Sequence, residues 1–343
     1  MNIGVFFGSR SPEHDVSIIT GTLITKGLEQ LGHKVVPVYI SKEGVWHVGE
    51  LLGDLNFYKQ ISWQNKLSSY ANYAIDTNSP KGKLVLTKSG FKKKSFSIDL
   101  AFPAFHGLNG EDGTIQGLFE IFNVPYVGCD VLSSAITMDK VLTKELYQKY
   151  DIPTTKFTHF TGSRWEKDRP FILKELGDLN MPVFVKPARL GSSIGITRAA
   201  NEKEMVFAIE VALHYDDKVL VEEAVPNLMD ITCAILGNDN PRPSLLQESL
   251  FHKDFFSYAD KYLEGGGAQL GKAEKKLVIP ASLDKPTTLK IQEVAVRIYK
   301  ILGCSGTARV DFLYNKETAQ FFANEVNTLP GTLYHHLWKA SGV

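Results

Sequence analysis

Hydrophobic and polar positions follow two periods along this chain, and the points where the period changes outline its elements. Residues 2–7 (NIGVFF) form a nearly unbroken apolar run of strand length. The turn GSRSPEHD follows, and residues 16–31 carry apolar positions at helical spacing until Gly32 stops them; residues 34–40 are again rich in β-branched side chains. This order predicts a βαβ opening. Between residues 51 and 97 the pattern weakens, and SWQNKLSSYANY with the turn TNSPKGK predicts an elaborated insertion rather than core. Residues 98–105 resume as a strand running into HGLNGEDGT, followed by a helix over 114–122 and a short strand in VPYVG. A first domain then ends near Gly128.

Beyond it the spacing predicts one helix over 133–150, closed by Pro153. The run VFVKPARLGSSIGITRA reads as a strand, a Gly/Ser turn and a second strand, followed by a helix over 202–214 and the apolar strand KVLVEEAV. Strands DITCAILG and PSLLQESL come next, then a glycine-rich loop, the strand KLVIPA, a helix over 287–302 and a hairpin over 308–331. No internal repeat or low-complexity tract is evident.

Composition changes this picture little. The chain has 343 residues, 43% hydrophobic and 22% charged, as an ordinary globular protein of two or three domains does. Lys+Arg and Asp+Glu balance at 38 each, so no global basic field argues for nucleic acid or an anionic membrane. The basic run over 92–94 reads as a solvated turn. Three cysteines, Cys129, Cys233 and Cys304, lie far apart and match neither zinc spacing nor a disulfide framework, which fits a reducing compartment. The N-terminal apolar run is too short for a signal peptide or a membrane span, so a cytoplasmic location is expected.

Two segments carry candidate chemistry. In ARVDFLYNKETAQFFANEVNTLPG, Arg309 and Asp311 stand two apart, as do Glu325 and Asn327. Side chains two apart on a strand share a face, so pairing of the two strands would gather two carboxylates, an amide oxygen and a guanidinium. Hard oxygen donors of this kind suit Mg2+ carrying nucleotide phosphates. Taken alone, the segment is more simply a hairpin with its polar face in water. In KPARLGSSIG, Lys186 sits at a strand end before a turn with two hydroxyls, Ser192 and Ser193, and several backbone N–H groups, which phosphate oxygens favour. It is not the Walker pattern, and taken alone the segment is more simply an ordinary hairpin turn beside a surface lysine. The first turn lacks G-x-G-x-x-G, which removes the main support for a nicotinamide-dependent oxidoreductase.

The motifs SPEHDVSIITG, FHGLNGEDGTIQG, SAITMDKVLTK, PVFVKPARLGSSIG, VLVEEAV, YADKYL, GTARVDF and NEVNTLPG occur in the order and at the spacing of one family. Over essentially its whole length the chain resembles the D-alanine–D-alanine ligase family of the ATP-grasp superfamily. The resemblance implies an α/β protein, a Rossmann-like N-terminal domain over 1–128 followed by an ATP-grasp fold of two α+β subdomains over 129–222 and 223–343. It implies ATP as substrate with Mg2+ or Mn2+, two ions per site, held by Asp311, Glu325 and Asn327. Lys140, Lys186, Ser193 and Lys261 would meet the phosphates, Glu222, Glu223, Ala224 and Val225 would form the strand that reads adenine, and Asp230 is the candidate for the ribose. Glu13 matches the carboxylate for the first D-alanine's ammonium, and His106 the histidine beside its carboxylate. Arg309 and the backbone N–H of Gly331 match the oxyanion partners.

Several of these residues have plainer readings. Glu13 and Asp15 suit the first turn of a helix, His106 suits a buried core histidine, and Lys140 and Lys261 suit solvated surface.

The resemblance further implies a lid over 258–276, and that Tyr262, linked to Glu13 and Ser192, goes with an amine nucleophile and so with the dipeptide. It implies a homodimer, with D-alanine and ATP as the small-molecule partners and no nucleic acid or membrane. Two departures stand out. His336 replaces a family serine that helps bind the second substrate's carboxylate, and the chain stops at Val343, about one helix short of the family pattern. A ligase for another second substrate, such as D-serine or D-lactate, and a non-catalytic ATP-binding protein are the competing expectations.

Overall fold

The computed structural model describes residues 1–88, 94–250 and 277–343. By contact density these divide into two units. One comprises Met1–Ala135, Gly303–Ala308 and Thr328–His335, the other Ile136–Leu302, Arg309–Asn327 and His336–Val343.

The first unit opens as the apolar pattern predicts. Strand Asn2–Gly8 pairs in parallel with Lys34–Ile40 and with Leu100–Pro103, and helix His14–Gln30 makes the crossover between the first two. This helix buries an unusual face of Ser17, Thr20, Gly21, Ile24 and Thr25. Small and hydroxyl side chains there bring it close to the sheet: a Cβ on Gly21 would stand 2.4 Å from Cγ of Phe7.

The region expected to be an insertion is instead core. Strands Trp46–Val48, Asn72–Ile75, Leu84–Lys88 and Ser95–Ile98 extend the sheet antiparallel from Lys34–Ile40. Leu84, Leu86 and Ile98 are fully buried in one cluster with Phe6, Val38 and Phe119. Each of these strands offers only one or two inward side chains between polar turns, too few for a period of two to emerge. The short strand expected in VPYVG is reduced to a single bridge between Ala101 and Tyr126.

The second unit contains two sheets among the described residues. The four-stranded sheet has the order Thr197–Ala199, Val183–Pro187, Lys218–Glu223, Phe157–Thr161, antiparallel throughout. Helices Gly162–Leu176 and Glu202–Tyr215 cover it through Trp165, Ile172, Leu176, Met205, Ala208, Ile209 and Ala212. The five-stranded sheet has the order Leu277–Val278, Arg242–Ser249, Leu228–Leu236, Thr307–Asn315, Phe321–Asn327, and helix Lys285–Ile301 packs on its second and third strands.

The single helix expected over 133–150 is two, Val131–Met138 and Lys140–Lys149. Asp139 breaks it. Its backbone is extended, and Oδ1 accepts the N–H groups of Val141 and Leu142, an N-cap placed inside an apolar-periodic run.

Candidate active site

The hairpin face forms as the spacing predicts. Thr307–Asn315 and Phe321–Asn327 pair antiparallel with Arg309 opposite Asn327 and Asp311 opposite Glu325. Arg309 lays its guanidinium on the Asp311 carboxylate, Nε reaching both oxygens at 2.9 Å and Nη2 reaching Oδ2 at 2.6 Å. Asp311 also accepts Asn327 Nδ2 at 3.2 Å and the Thr232 hydroxyl at 2.9 Å. Two carboxylates placed directly opposite each other repel unless a cation answers them. Arg309 answers Asp311 directly, and the carboxylate and amide oxygens gathered on this face are hard donors of the kind a divalent cation takes.

Lys186 ends strand Val183–Pro187 next to Lys218–Glu223, whose Glu222 is almost fully buried. The Glu222 carboxylate is ion-paired to Lys186 and to Lys144, the latter at 2.7 Å, and accepts the Thr155 hydroxyl at 2.6 Å. Burial alone would raise this carboxyl, but Lys144 and Lys186 prevail and hold it well below the usual carboxylate range. Burial pulls Lys144 below the ordinary lysine value, and Glu222 offsets part of that. Lys144 was missed in the sequence. It stands one turn beyond Lys140 in helix Lys140–Lys149, a spacing that puts both on one side of the helix.

Lys140 is buried rather than a solvated surface lysine. Its amide donates to Ala188 O at 2.9 Å and its ammonium to Leu190 O at 2.5 Å. These contacts grip the first half of the Gly/Ser turn, while Arg189 is ion-paired to Asp216 and Asp217. Ser192 and Ser193 then take positive φ angles of 53° and 59°. Such backbone conformations cost energy in non-glycine residues and gather at ligand clamps.

Along the expected adenine strand, Glu222 points inward to the lysines, whereas Glu223 accepts the backbone and side-chain N–H of Asn180 at 2.9 and 3.0 Å. Ala224 donates its amide to Pro182 O at 3.0 Å, and Val225 is half-buried. Asp230 lies in strand Leu228–Leu236, paired with Ser249. His336 meets Gln247, whose side chain is buried, with 2.7 Å between Nε2 and Oε1.

The remaining cluster belongs to the first unit. Glu13 is the N-cap residue of helix His14–Gln30 without a capping side-chain bond, and its backbone N–H is held by the Ser11 hydroxyl. Ser11 in turn donates to His106 O at 2.7 Å. His106 is buried, as its plainer reading has it, with Nε2 2.8 Å from Thr20 Oγ1. The same Thr20 oxygen accepts the amide of Thr332 at 3.2 Å, just after Gly331. Thr332, Leu333 and Tyr334 all have positive φ, near 50°. Glu111 accepts the amides of Gly107 at 2.8 Å and Leu329 at 3.3 Å. Thr20 and Glu111 thus fasten the turn that carries Gly331, roles that no spacing along the chain announces. Lys261, Tyr262 and the expected lid over 258–276 lie outside the described residues.

The chain is similar to known proteins over nearly its whole length. Residues 2–129 match the family model described as D-ala D-ala ligase N-terminus, and residues 146–343 the one described as D-ala D-ala ligase C-terminus. A D-alanine–D-alanine ligase of Thermosipho melanesiensis is 42% identical over 342 residues, covering 100% of this chain and 90% of that protein. A D-alanine–D-alanine ligase B of Clostridium tetani is 39% identical over 350 residues, covering 100% and 89%. Among solved structures, the VanG D-Ala:D-Ser ligase of Enterococcus faecalis superposes with a TM-score of 0.82 at 33% identity, covering 100% of this chain and 95% of the other. The D-alanine–D-alanine ligase of Coxiella burnetii superposes with a TM-score of 0.81 at 29% identity, covering 100% and 89%. The mixed α/β architecture is the ATP-grasp fold of these ligases. With both family models together spanning nearly all of it, the chain belongs to the D-alanine–D-alanine ligase family.

Proposed function

We propose that this protein joins two D-alanine molecules to D-alanyl-D-alanine with consumption of ATP, supplying a peptidoglycan precursor. A carboxylate does not react with an amine unaided. The ATP γ-phosphoryl group is transferred to the first D-alanine, and the amine of the second displaces phosphate from the resulting D-alanyl phosphate. The observation that carries this reading is the hairpin face, where Arg309, Asp311, Glu325 and Asn327 stand together on paired strands. A nucleotide-binding protein without activity would have no need of the arginine on Asp311.

Asp311, Glu325 and Asn327 would hold the divalent metal, Mg2+ or Mn2+ as two ions, which supplies charge neutralisation of the phosphates. Lys140, Lys186, Ser193 and Lys261 meet phosphate oxygens, and the backbone from Glu222 to Val225 reads the adenine, with Asp230 at the ribose. Phosphoryl transfer is chiefly positioning and charge neutralisation, which is the work such cations do. Glu13 receives the ammonium of the first D-alanine and His106 its carboxylate. Arg309 and the Gly331 amide stabilise the tetrahedral oxyanion, where one lost donor typically costs about 10²- to 10³-fold in rate. Tyr262, with Glu13 and Ser192, favours an amine as nucleophile. We further place the protein in the cytoplasm as a homodimer.

The test is phosphate release from ATP·Mg with D-alanine, L-alanine or no amino acid, with mass analysis of products. D-alanine-dependent release with the dipeptide as product is expected; release that ignores D-alanine would overturn the reading. Because His336 matches the place of a family serine that helps bind the second substrate, D-serine and D-lactate belong in the same assay as second substrates. A preference for either over D-alanine would reassign the product.

A further inference from the structure

The buried ion cluster is asymmetric, and the asymmetry assigns a task to a residue with no role in the function above. Lys186 and Glu222 lie on adjacent antiparallel strands, Leu220 being opposite Lys186 and Phe184 opposite Glu222, so the pair is diagonal on one face of the sheet. Lys144 reaches the same carboxylate from helix Lys140–Lys149. Its ammonium has three donors and all are used, on Glu222 Oε2 at 2.7 Å, Thr154 Oγ1 at 2.8 Å and Thr155 Oγ1 at 2.9 Å. Thr155 passes its own hydrogen to the same Glu222 oxygen at 2.6 Å. Lys144 is therefore locked, with a side chain 1% exposed. Lys186 is held differently. It is paired to Glu222 Oε1, its hydrogen bond to Asn324 Oδ1 is long at 3.5 Å, and its side chain is 10% exposed.

We propose that Lys144 is a positioning residue for nucleotide binding: it is the standing counter-ion of Glu222, and so releases Lys186 to turn to a phosphate oxygen. A desolvated carboxylate must keep a partner, since an unpaired buried charge is far costlier than a paired one. With Lys144 and Thr155 on Oε2, Glu222 stays paired when Lys186 leaves Oε1. Without Lys144, Lys186 becomes the sole cation for Glu222 and is retained there, in competition with phosphate. The inference rests on the reading of Lys186 as a phosphate ligand.

The test is calorimetric binding of ATP·Mg, without amino acid, to the full-length chain and its variants. Lys144→Met is expected to weaken binding by five-fold or more. In the background of Glu222→Gln, which no longer holds Lys186 by charge, adding Lys144→Met is expected to change the affinity by less than five-fold. The second comparison removes both buried charges and so stays informative should Lys144→Met alone fail to fold. A Lys144→Met protein that binds as wild type would overturn the proposal, as would a further loss of five-fold or more in the Glu222→Gln background. The reading of Lys186 fails separately, if Lys186→Ala binds ATP·Mg as tightly as wild type. D-alanine-dependent phosphate release by the wild type remains the independent test of the reaction.

Discussion

Thr20→Val removes one hydroxyl and keeps the shape of the side chain, which makes it a clean probe of the turn that carries Gly331. Thr20 is 1% exposed, and its oxygen lies 2.8 Å from His106 Nε2 and 3.2 Å from the Thr332 amide. A polar group left unsatisfied in the interior costs about 1–3 kcal/mol. The buried His106 nitrogen loses one partner, and the half-buried Thr332 amide can recover part of its loss from water, so the total is about 2 kcal/mol. The turn cannot absorb the loss quietly. Its three consecutive left-handed residues, Thr332, Leu333 and Tyr334, each store roughly 1–3 kcal/mol of strain that neighbouring bonds must hold. Thr20 is one of those ties, alongside Leu333 N to Pro330 O at 2.9 Å and Leu329 N to Glu111 at 3.3 Å. If about 2 kcal/mol of this appears in the transition state, turnover falls roughly 30-fold, at about 1.4 kcal/mol per factor of ten. The assay is D-alanine-dependent phosphate release at saturating ATP, with ATP·Mg affinity expected to stay unchanged. Thr20→Ser should restore most of the rate. Turnover of Thr20→Val within two-fold of wild type would refute the reasoning, and so would an equal fall in Thr20→Ser, because shape rather than the hydroxyl would then be responsible.

Two further outcomes concern stability. Gly21→Ala should lower the melting temperature by several degrees: its methyl would sit 2.4 Å from Phe7 Cγ and 2.5 Å from Phe7 Cβ, and overpacking of about 1–3 kcal/mol exceeds the roughly 1 kcal/mol gained in helix propensity. A melting temperature equal to or above wild type would contradict that close approach. Burial holds His14 and His47 below the ordinary histidine value of 6.5, with bonds to the backbone at Ser9 and Ala71 opposing it. The unfolded chain therefore binds more protons below that pH, so the stability these groups confer is present above 6.5 and lost as pH falls beneath it. Thermal melts from pH 7.5 to 5 should show a decline, at most about 1.4 kcal/mol per pH unit for each histidine. His47→Phe, keeping an aromatic ring against Tyr39, should flatten that decline, and an unchanged slope would exclude His47 as its source.

What the sequence by itself determined is local. The apolar run of residues 2–7, the helix after it and the β-rich run over 34–40 specify a parallel opening because each period is carried within one element. The hairpin face is legible for the same reason: a spacing of two on both strands leaves one register in which Arg309 meets Asn327 and Asp311 meets Glu325. Lys186 before a Gly/Ser turn was visible as a strand end, and the family motifs gave the chemistry a name. Tertiary structure alone decided what lies between elements. Glu222 reads as one acid in a strand, yet it is the buried centre of two lysines and a threonine drawn from three other segments. Thr20 reads as a mid-helix hydroxyl and proves to tie His106 to a turn more than 300 residues along the chain. The strands over 72–98 carry too few inward positions to announce themselves, and only their pairing on an existing sheet edge buries them. Periodicity reports the direction in which a side chain points, whereas long-range pairing decides what it meets, and in this protein the partners of the candidate site residues depend on the second.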